Sequence, residues 1–246
     1  MRFLILSDIH ANWEALQAVL ADAEGGYDQI LCLGDLVGYG ADPNAVVEWA
    51  RRAVMIAVRG NHDKACAGLS DMDWFGSRAR AAVEWTQEEL SPANLEYLRH
   101  LPQGPQAVEN FQILHGSPID EDEYLIETAD VLMVKPFLTH SLSFFGHTHL
   151  QGGFLACRAG FEGIPGTPHG CQEHVVEIPA HCFCLANPGS VGQPRDGDPR
   201  AAYLLYSPEG QALEYRRVPY DVGAAQERIR RAGLPPALAD RLAAGK

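Results

Sequence analysis

Five short apolar runs in this chain each stop at side chains able to bind a metal or move a proton. The runs are Phe3–Leu6, Ile30–Leu33, Val54–Val58, Phe111–Leu114 and Leu142–Phe145. Short apolar runs bounded by polar and glycine-rich sequence read as strands buried on both faces. After them come Asp8 and His10, Asp35, Asn61 with His62 and Asp63, His115, and His147 with His149. In an open α/β sheet the ligand crevice lies at the carboxyl ends of the parallel strands. Polar groups delivered there by several strands therefore converge on one place. Taken singly each is weak: an Asp-x-His pair is commonly a cap beside a surface histidine, and Gly60-Asn-His-Asp63 is commonly a turn. The conjunction points to a metal site, and to two metals rather than one.

The sequence between those runs sets the fold class. Trp13, Leu16, Val19 and Leu20 recur at helical spacing over Asn12–Ala23. Asp42 precedes Pro43 in the manner of a helix cap, and that helix runs through Val46, Val47 and Trp49 to Arg52. A mostly helical region extends from Asp63 to Leu101, with Trp74, Trp85, Leu90, Leu95 and Leu98 expected in the core. Strand–helix alternation favours right-handed crossovers and a largely parallel sheet. Beyond a helical or irregular stretch over 120–140, short strands dominate: Val175–Ile178, Cys182–Leu185, Ala202–Tyr206 and Leu213–Val218. Consecutive short strands predict hairpins in a second sheet packed on the first. Residues 222–244 read as two short helices broken at Gly233–Pro236. With no repeat and no boundary, residues 1–246 are expected to form one domain. Residues 152–174, rich in glycine and proline, are expected to be an inserted loop near the mouth of the site that shapes substrate choice.

The formal charge of −13 disfavours general affinity for nucleic acids or anionic membranes, which need a surplus of Lys and Arg. It leaves a phosphate substrate open, because bound cations dominate the field of a metal site. No apolar stretch approaches the ~20 residues of a membrane span, and Phe3–Leu6 is too short for the apolar part of a signal peptide. A cytoplasmic location is therefore expected, with Cys32, Cys66, Cys157, Cys171, Cys182 and Cys184 reduced. The stretch holding Cys157, His169, Cys171, His174, His181, Cys182 and Cys184 has enough donors for a structural zinc site. It lacks a paired-cysteine knuckle, however, and Cys182 alternating with Cys184 reads as small core residues on a strand.

In order and rough spacing, Asp8-x-His10, Gly34-Asp35, Gly60-Asn-His-Asp63, His115-Gly116 and Gly146-His-Thr-His149 resemble the calcineurin-like metallophosphoesterase superfamily. Asn187-Pro-Gly-Ser190 and Gln193-Pro-Arg-Asp-Gly197 extend the resemblance, which covers nearly the whole chain and weakens over residues 153–174. It is closer to the smaller bacterial and archaeal phosphodiesterases than to the protein Ser/Thr phosphatases. The resemblance implies an α/β fold of two facing mixed β-sheets flanked by helices, a four-layer αββα sandwich. It implies two divalent transition-metal ions, Mn, Fe, Zn or Ni, which suit imidazole and carboxylate donors better than Mg or Ca do. Asp8, His10, Asp35 and His149 would hold the first ion; Asp35, Asn61, His115 and His147 would hold the second, with Asp35 bridging. A hydroxide shared by the metals would attack phosphorus in line. His62 would serve the leaving oxygen, and Asp63 would orient His62. The expected partner is a small phosphoester, a diester or else a monoester. A dinucleoside polyphosphate hydrolase, a protein phosphatase and a non-catalytic scaffold on the same fold are the alternatives. Arg195 and Asp196 are expected to support the site. Tyr39 and Asp42 either reach the pocket or pack their loop.

Overall fold

β1 (Phe3–Leu6) is apolar at every position because both of its faces are covered. Phe3 and Ile5 point into one apolar layer, Leu4 and Leu6 into another. The computed structural model describes residues 1–246. After β1 come α1 (Trp13–Asp22), β2 (Gln29–Cys32), α2 (Pro43–Ala53), β3 (Ile56–Ala57), α3 (Asn61–Cys66), α4 (Ser77–Glu89) and α5 (Pro92–Arg99). The middle holds β4 (Gln106–Val108), β5 (Phe111–Ile113), α6 (Thr128–Val134), a 3-10 turn (Lys135–Phe137) and β6 (Leu142–Phe144). The last third runs β7 (Gly152–Cys157), β8 (Gly160–Pro165), β9 (Glu173–Glu177), β10 (Phe183–Asn187), β11 (Ala201–Ser207), β12 (Ala212–Val218), α7 (Val222–Arg231) and α8 (Pro236–Ala244).

The strands form two six-stranded mixed sheets, in the orders β3-β2-β1-β11-β12-β9 and β4-β5-β6-β10-β7-β8. β1, β2 and β3 are parallel in the first, and β5, β6 and β10 in the second. Between the sheets Phe3 meets Phe111 edge-on at 5.2 Å, and Phe111 meets Tyr206 at 5.4 Å. Leu16, Val19, Val46 and Val47 of α1 and α2 cover the outer face of the first sheet. Val131 and Val134 of α6 cover Leu114, Phe145 and Leu185 of the second. The expected sandwich of helix, sheet, sheet and helix is the fold observed. Its strands are divided differently, because β9, β11 and β12 return to the first sheet instead of building the second.

Local details follow from side-chain competition. Asn12 caps α1 by accepting from the Ala15 N–H at 3.1 Å. Asp42 occupies the cap position of α2, yet its carboxylate goes to Arg228 at 2.6 Å and leaves Pro43 to start the helix. The strand expected over Val54–Val58 shrinks to two residues because the Val54 N–H closes α2 on Ala50.

Four further expectations are corrected. Residues 152–165 are not a loop but the β7–β8 hairpin, paired from Gly152↔Pro165 to Cys157↔Gly160. Gly153 is there because a Cβ would stand 2.1 Å from the Leu185 carbonyl oxygen of β10, so glycine marks a close strand approach. Cys157 and Cys182, expected to be reduced, form a disulfide across β7 and the start of β10, with Cα atoms 4.5 Å apart. Cys182 thus precedes its strand, while Cys184 within β10 is a buried free thiol in the core. The histidines of 157–184 gather with no cysteine or carboxylate into a metal-binding group. Trp74, expected in the core, lies in a turn before α4 and is 96% exposed, whereas Leu90 and Leu98 are buried. Thiol titration of the denatured protein should count four thiols before reduction and six after; six at the outset would remove the bridge. No helix is long and apolar enough to cross a membrane.

Candidate metal centre

Every ligand-type residue singled out in the sequence sits just beyond the carboxyl end of a parallel strand. Asp8 and His10 follow β1, Asp35 follows β2, and Asn61 and His62 begin α3 after β3. His115 follows β5, and His147 and His149 follow β6. All but Asn61 are buried. Strand pleating does not aim them. Asp8, His10, Asp35, His147 and His149 all take left-handed backbone, with φ between 48° and 65°. Such conformations cost non-glycine residues of order 1–3 kcal/mol and persist where the surroundings over-determine them, typically at functional sites. Gly34 (φ 100°) makes room for this: a Cβ there would stand 2.6 Å from the Gly60 nitrogen and 2.7 Å from the His115 ring.

Two donor groups result. Asp8, His10, Asp35 and His149 form one; Asp35, His115 and His147 form the other. Within each, the donor atoms lie within 4.8 Å of one another. Asn61 Oδ1 approaches the second group, 3.4 Å from His115 Nε2. The hydrogen bonds decide which atoms face inward. A carbonyl oxygen only accepts, so each ring nitrogen bonded to one carries the hydrogen. His10 Nδ1 donates to Val37 O at 3.0 Å, His115 Nδ1 to Leu33 O at 2.7 Å, and His149 Nδ1 to Gln193 O at 2.6 Å. Their Nε2 atoms are left pointing into the site. His147 is reversed: its Nε2 donates to Asp122 O at 3.1 Å, which frees Nδ1. Carbonyl partners that fix the tautomer in this way are typical of metal-binding histidines.

The carboxylates are prepared likewise. Asp8 Oδ2 accepts from the His147 N–H at 3.1 Å, and Asp35 Oδ1 from the His62 N–H at 2.9 Å. The other oxygens, Asp8 Oδ1 and Asp35 Oδ2, are buried without a hydrogen-bond partner. Asp35 Oδ2 lies 3.5 Å from both His10 Nε2 and His115 Nε2. His10 Nε2 and His149 Nε2, both lone-pair atoms, face each other at 3.1 Å. Partnerless buried anionic oxygens beside opposed lone pairs are costly unless a cation lies among them. The residues present therefore fit divalent metal ions.

Burial opposes charge on His115, but the Asp35 and Asp8 carboxylates outweigh it and push its pKa up to about 10. The proton-linked stability from His115 in the metal-free protein is thus complete below the ordinary 6.5 and lost as the pH rises through about 10. A cation must displace that proton. Loading Mn²⁺ at pH 8 should release at least one proton per protein, read by calorimetry in buffers of different ionisation enthalpy. Loading without proton release would show that His115 is not displaced.

Neighbours divide between those that serve the site and those that do not. Asp63 does not orient His62. One residue further along α3 it points away, and its oxygens accept from the Val37 and Gly60 N–H groups at 3.2 Å each. The His62 ring instead packs between Tyr39 at 4.3 Å and Phe75 at 4.9 Å, with a buried Nδ1 that has no partner. Burial lowers its pKa to about 4, so it is uncharged at neutral pH. Asn187 donates to Gly146 O and Thr148 Oγ1, bracing the loop of His147 and His149, and Ser190 donates to Asp8 O. Arg195 and Asp196 part company: Asp196 pairs with Arg217, and Arg195 lines the pocket with Tyr39. Asp42 stays outside it. Sequence reasoning missed Tyr124, stacked on His147 at 4.0 Å, and buried Glu121, which holds Arg59 at 2.8 Å and Lys64 at 3.1 Å. Glu121 lies in an acidic run that reads as solvated surface, and the backbone carbonyls that fix the imidazoles leave no mark in sequence.

Two donor groups sharing one carboxylate make the arrangement of a binuclear metal site. The model of the calcineurin-like phosphoesterase superfamily domain matches residues 1–210, and the chain belongs to that family. It is similar to a metallophosphoesterase from Sphaerobacter thermophilus, 39% identical, with a TM-score of 0.86 over 100% of this chain and 99% of that one. An uncharacterized protein of Methanocaldococcus jannaschii is 35% identical over 98% of this chain and 97% of its own. A hypothetical protein of Pyrococcus horikoshii OT3 shares the fold at 22% identity, with a TM-score of 0.78 over 100% of this chain and 98% of that one.

Proposed function

We propose that the protein is a metal-dependent phosphodiesterase. Asp8, His10, Asp35 and His149 hold one divalent transition-metal ion; Asp35, Asn61, His115 and His147 hold the second. The observation that carries this reading is the pair of buried, partnerless oxygens, Asp8 Oδ1 and Asp35 Oδ2, set among imidazoles whose outer nitrogens are tied to carbonyls. Two such cations, when bound, polarise a phosphoryl group and lower the pKa of water between them. The chain's own residues do the rest. Asp35 keeps the donor groups in register, the carbonyls of Val37, Leu33 and Gln193 hold the rings, and neutral His62 donates a hydrogen bond to the leaving oxygen.

The pocket over the donor groups supports a diester. Its volume is about 260 Å³, and Trp74, Phe75 and Tyr124 line it beside His62, Asp122 and Arg195. One phosphoryl group fills a small part of that space, and the apolar side gives a second ester arm a surface to lie on. An uncharged His62 also matches the single charge of a diester better than the two of a monoester. The chain's charge of −13 favours a small substrate over a nucleic acid.

The test is hydrolysis with added Mn²⁺. Bis(p-nitrophenyl) phosphate should turn over faster than p-nitrophenyl phosphate, and chelation should stop both. Faster monoester hydrolysis would overturn the diester preference. No hydrolysis of either with Mn, Fe, Zn or Ni would favour a scaffold role.

A further inference from the structure

In a chain of net charge −13, most arginines near the site are paired. Arg59, Arg200, Arg217 and Arg228 each meet a carboxylate. Arg78, Arg195 and Arg241 meet no side-chain carboxylate, and they line one cavity together with Tyr39. The guanidinium groups of Arg195 and Arg241 each lie 5.9 Å from the Tyr39 ring centre. A second cavity of about 390 Å³ is lined by Tyr39, Arg78, Arg195 and Arg241 with α4 residues Ser77 and Ala79. It joins the metal pocket directly, because Tyr39, Gly76, Ala79 and Arg195 border both.

The cluster is poorly neutralised from within. Arg195 donates through Nη2 to Gln193 Oε1 at 3.2 Å, and its Nε is buried without a partner. Arg241 donates through Nε to a carboxyl oxygen of Lys246, the last residue of the sequence, and meets no side-chain carboxylate. Burial, and then the charges of Arg195 and Arg78, hold Arg241 below its ordinary pKa. Three cations gathered around one cavity repel each other unless an anion joins them, and guanidinium groups match phosphate in geometry. Tyr39 also stands 4.7 Å from the His10 ring. Tyr39 is therefore a wall common to the arginine cluster and the donor groups, and Arg195 borders both cavities.

We infer that Arg78, Arg195 and Arg241 form a subsite for a second phosphate, so that the substrate is a phosphodiester one arm of which ends in a further phosphoryl group. This rests on the phosphodiesterase reading and narrows it to diesters of a nucleoside bisphosphate, in which one phosphate is the scissile diester and the other a terminal monoester. Arg195, bordering both cavities, spans the two phosphates. Trp74 and Phe75 lie where the intervening base or other flat group passes.

The experiment uses two chromogenic diesters with the same scissile bond: thymidine 5′-(p-nitrophenyl phosphate) and its 3′-phosphorylated counterpart. With Mn²⁺-loaded wild-type protein, the 3′-phosphate should raise kcat/KM by roughly tenfold or more, chiefly through KM, the size of effect expected for charge-assisted hydrogen bonds. The double variant Arg78→Ala/Arg241→Ala should lose that preference and hydrolyse the parent diester within about twofold of wild type. Arg78→Lys/Arg241→Lys should keep part of the preference, and an unchanged melting temperature would show that both variants fold. Equal kcat/KM for the two substrates in wild type would overturn the inference alone. So would a double variant that loses both substrates equally. Hydrolysis of neither substrate by wild type would overturn the phosphodiesterase reading and this inference with it.

Discussion

Asp35→Asn should strip metal and turnover together. One Asp35 oxygen is committed to the His62 N–H at 2.9 Å, an interaction that an amide oxygen preserves. The other, buried and without a partner, stands 3.5 Å from an imidazole of each donor group. Replacing it with an amide nitrogen removes the only carboxylate common to both groups and changes almost no volume. Elemental analysis of the purified variant should find fewer than two ions per chain. Turnover of bis(p-nitrophenyl) phosphate should fall by roughly 10³-fold or more, the scale of losing preorganised charge at the reacting phosphorus. Two ions bound with near-normal turnover would show that Asp35 is not the bridge.

His62→Ala should separate the two properties instead. Only the backbone N–H of His62 touches Asp35, and alanine retains it, so metal content should match wild type. The ring is uncharged at neutral pH and borders the pocket, held by Tyr39 and Phe75 and by Gly38, whose Cβ, if present, would stand 2.4 Å from Nδ1. On the proposed mechanism, removing it takes away the hydrogen-bond donor to the leaving oxygen, and turnover should fall by ~10²–10⁴-fold. The loss should be larger for a poor leaving group such as an alkoxide than for p-nitrophenolate, which needs little help. Wild-type rates on both would take His62 out of the mechanism.

The site was legible because its residues lie at strand ends and because strand order is written in apolar runs. Asp8, His10, Asp35, His115, His147 and His149 could be found without knowing how the backbone aims them. The aiming itself was hidden: a left-handed turn at Asp8 or His147 looks in sequence like any Asp-x-His or His-x-His pair. Asp63 misled because it adjoins His62 in sequence, while helical rotation sends it to cap α3. Glycines at 152 and 153 suggested a loop, since a close strand approach and a turn both call for a missing Cβ. The Cys157–Cys182 bond depends on β7 pairing with β10, a long-range register that local composition does not encode. Trp74 shows the same limit from the other side. Its apolar size argued for the core, whereas its place in a turn leaves it at the rim of the pocket.

The division of the donors between the two sheets has a consequence for how the molecule assembles. The first group takes Asp8, His10 and Asp35 from loops of one sheet and His149 from the other; the second takes Asp35 from the first sheet and His115 and His147 from the second. Neither sheet, however well formed alone, presents a complete coordination shell. A cation bound by both groups rivets the halves of the sandwich together at their open end, on the side away from the hydrophobic clasp of Phe3, Phe111 and Tyr206. Metal occupancy is then a gauge of completed assembly: a half-folded chain offers the ion only part of either donor set, and both sets close only when the two sheets have met.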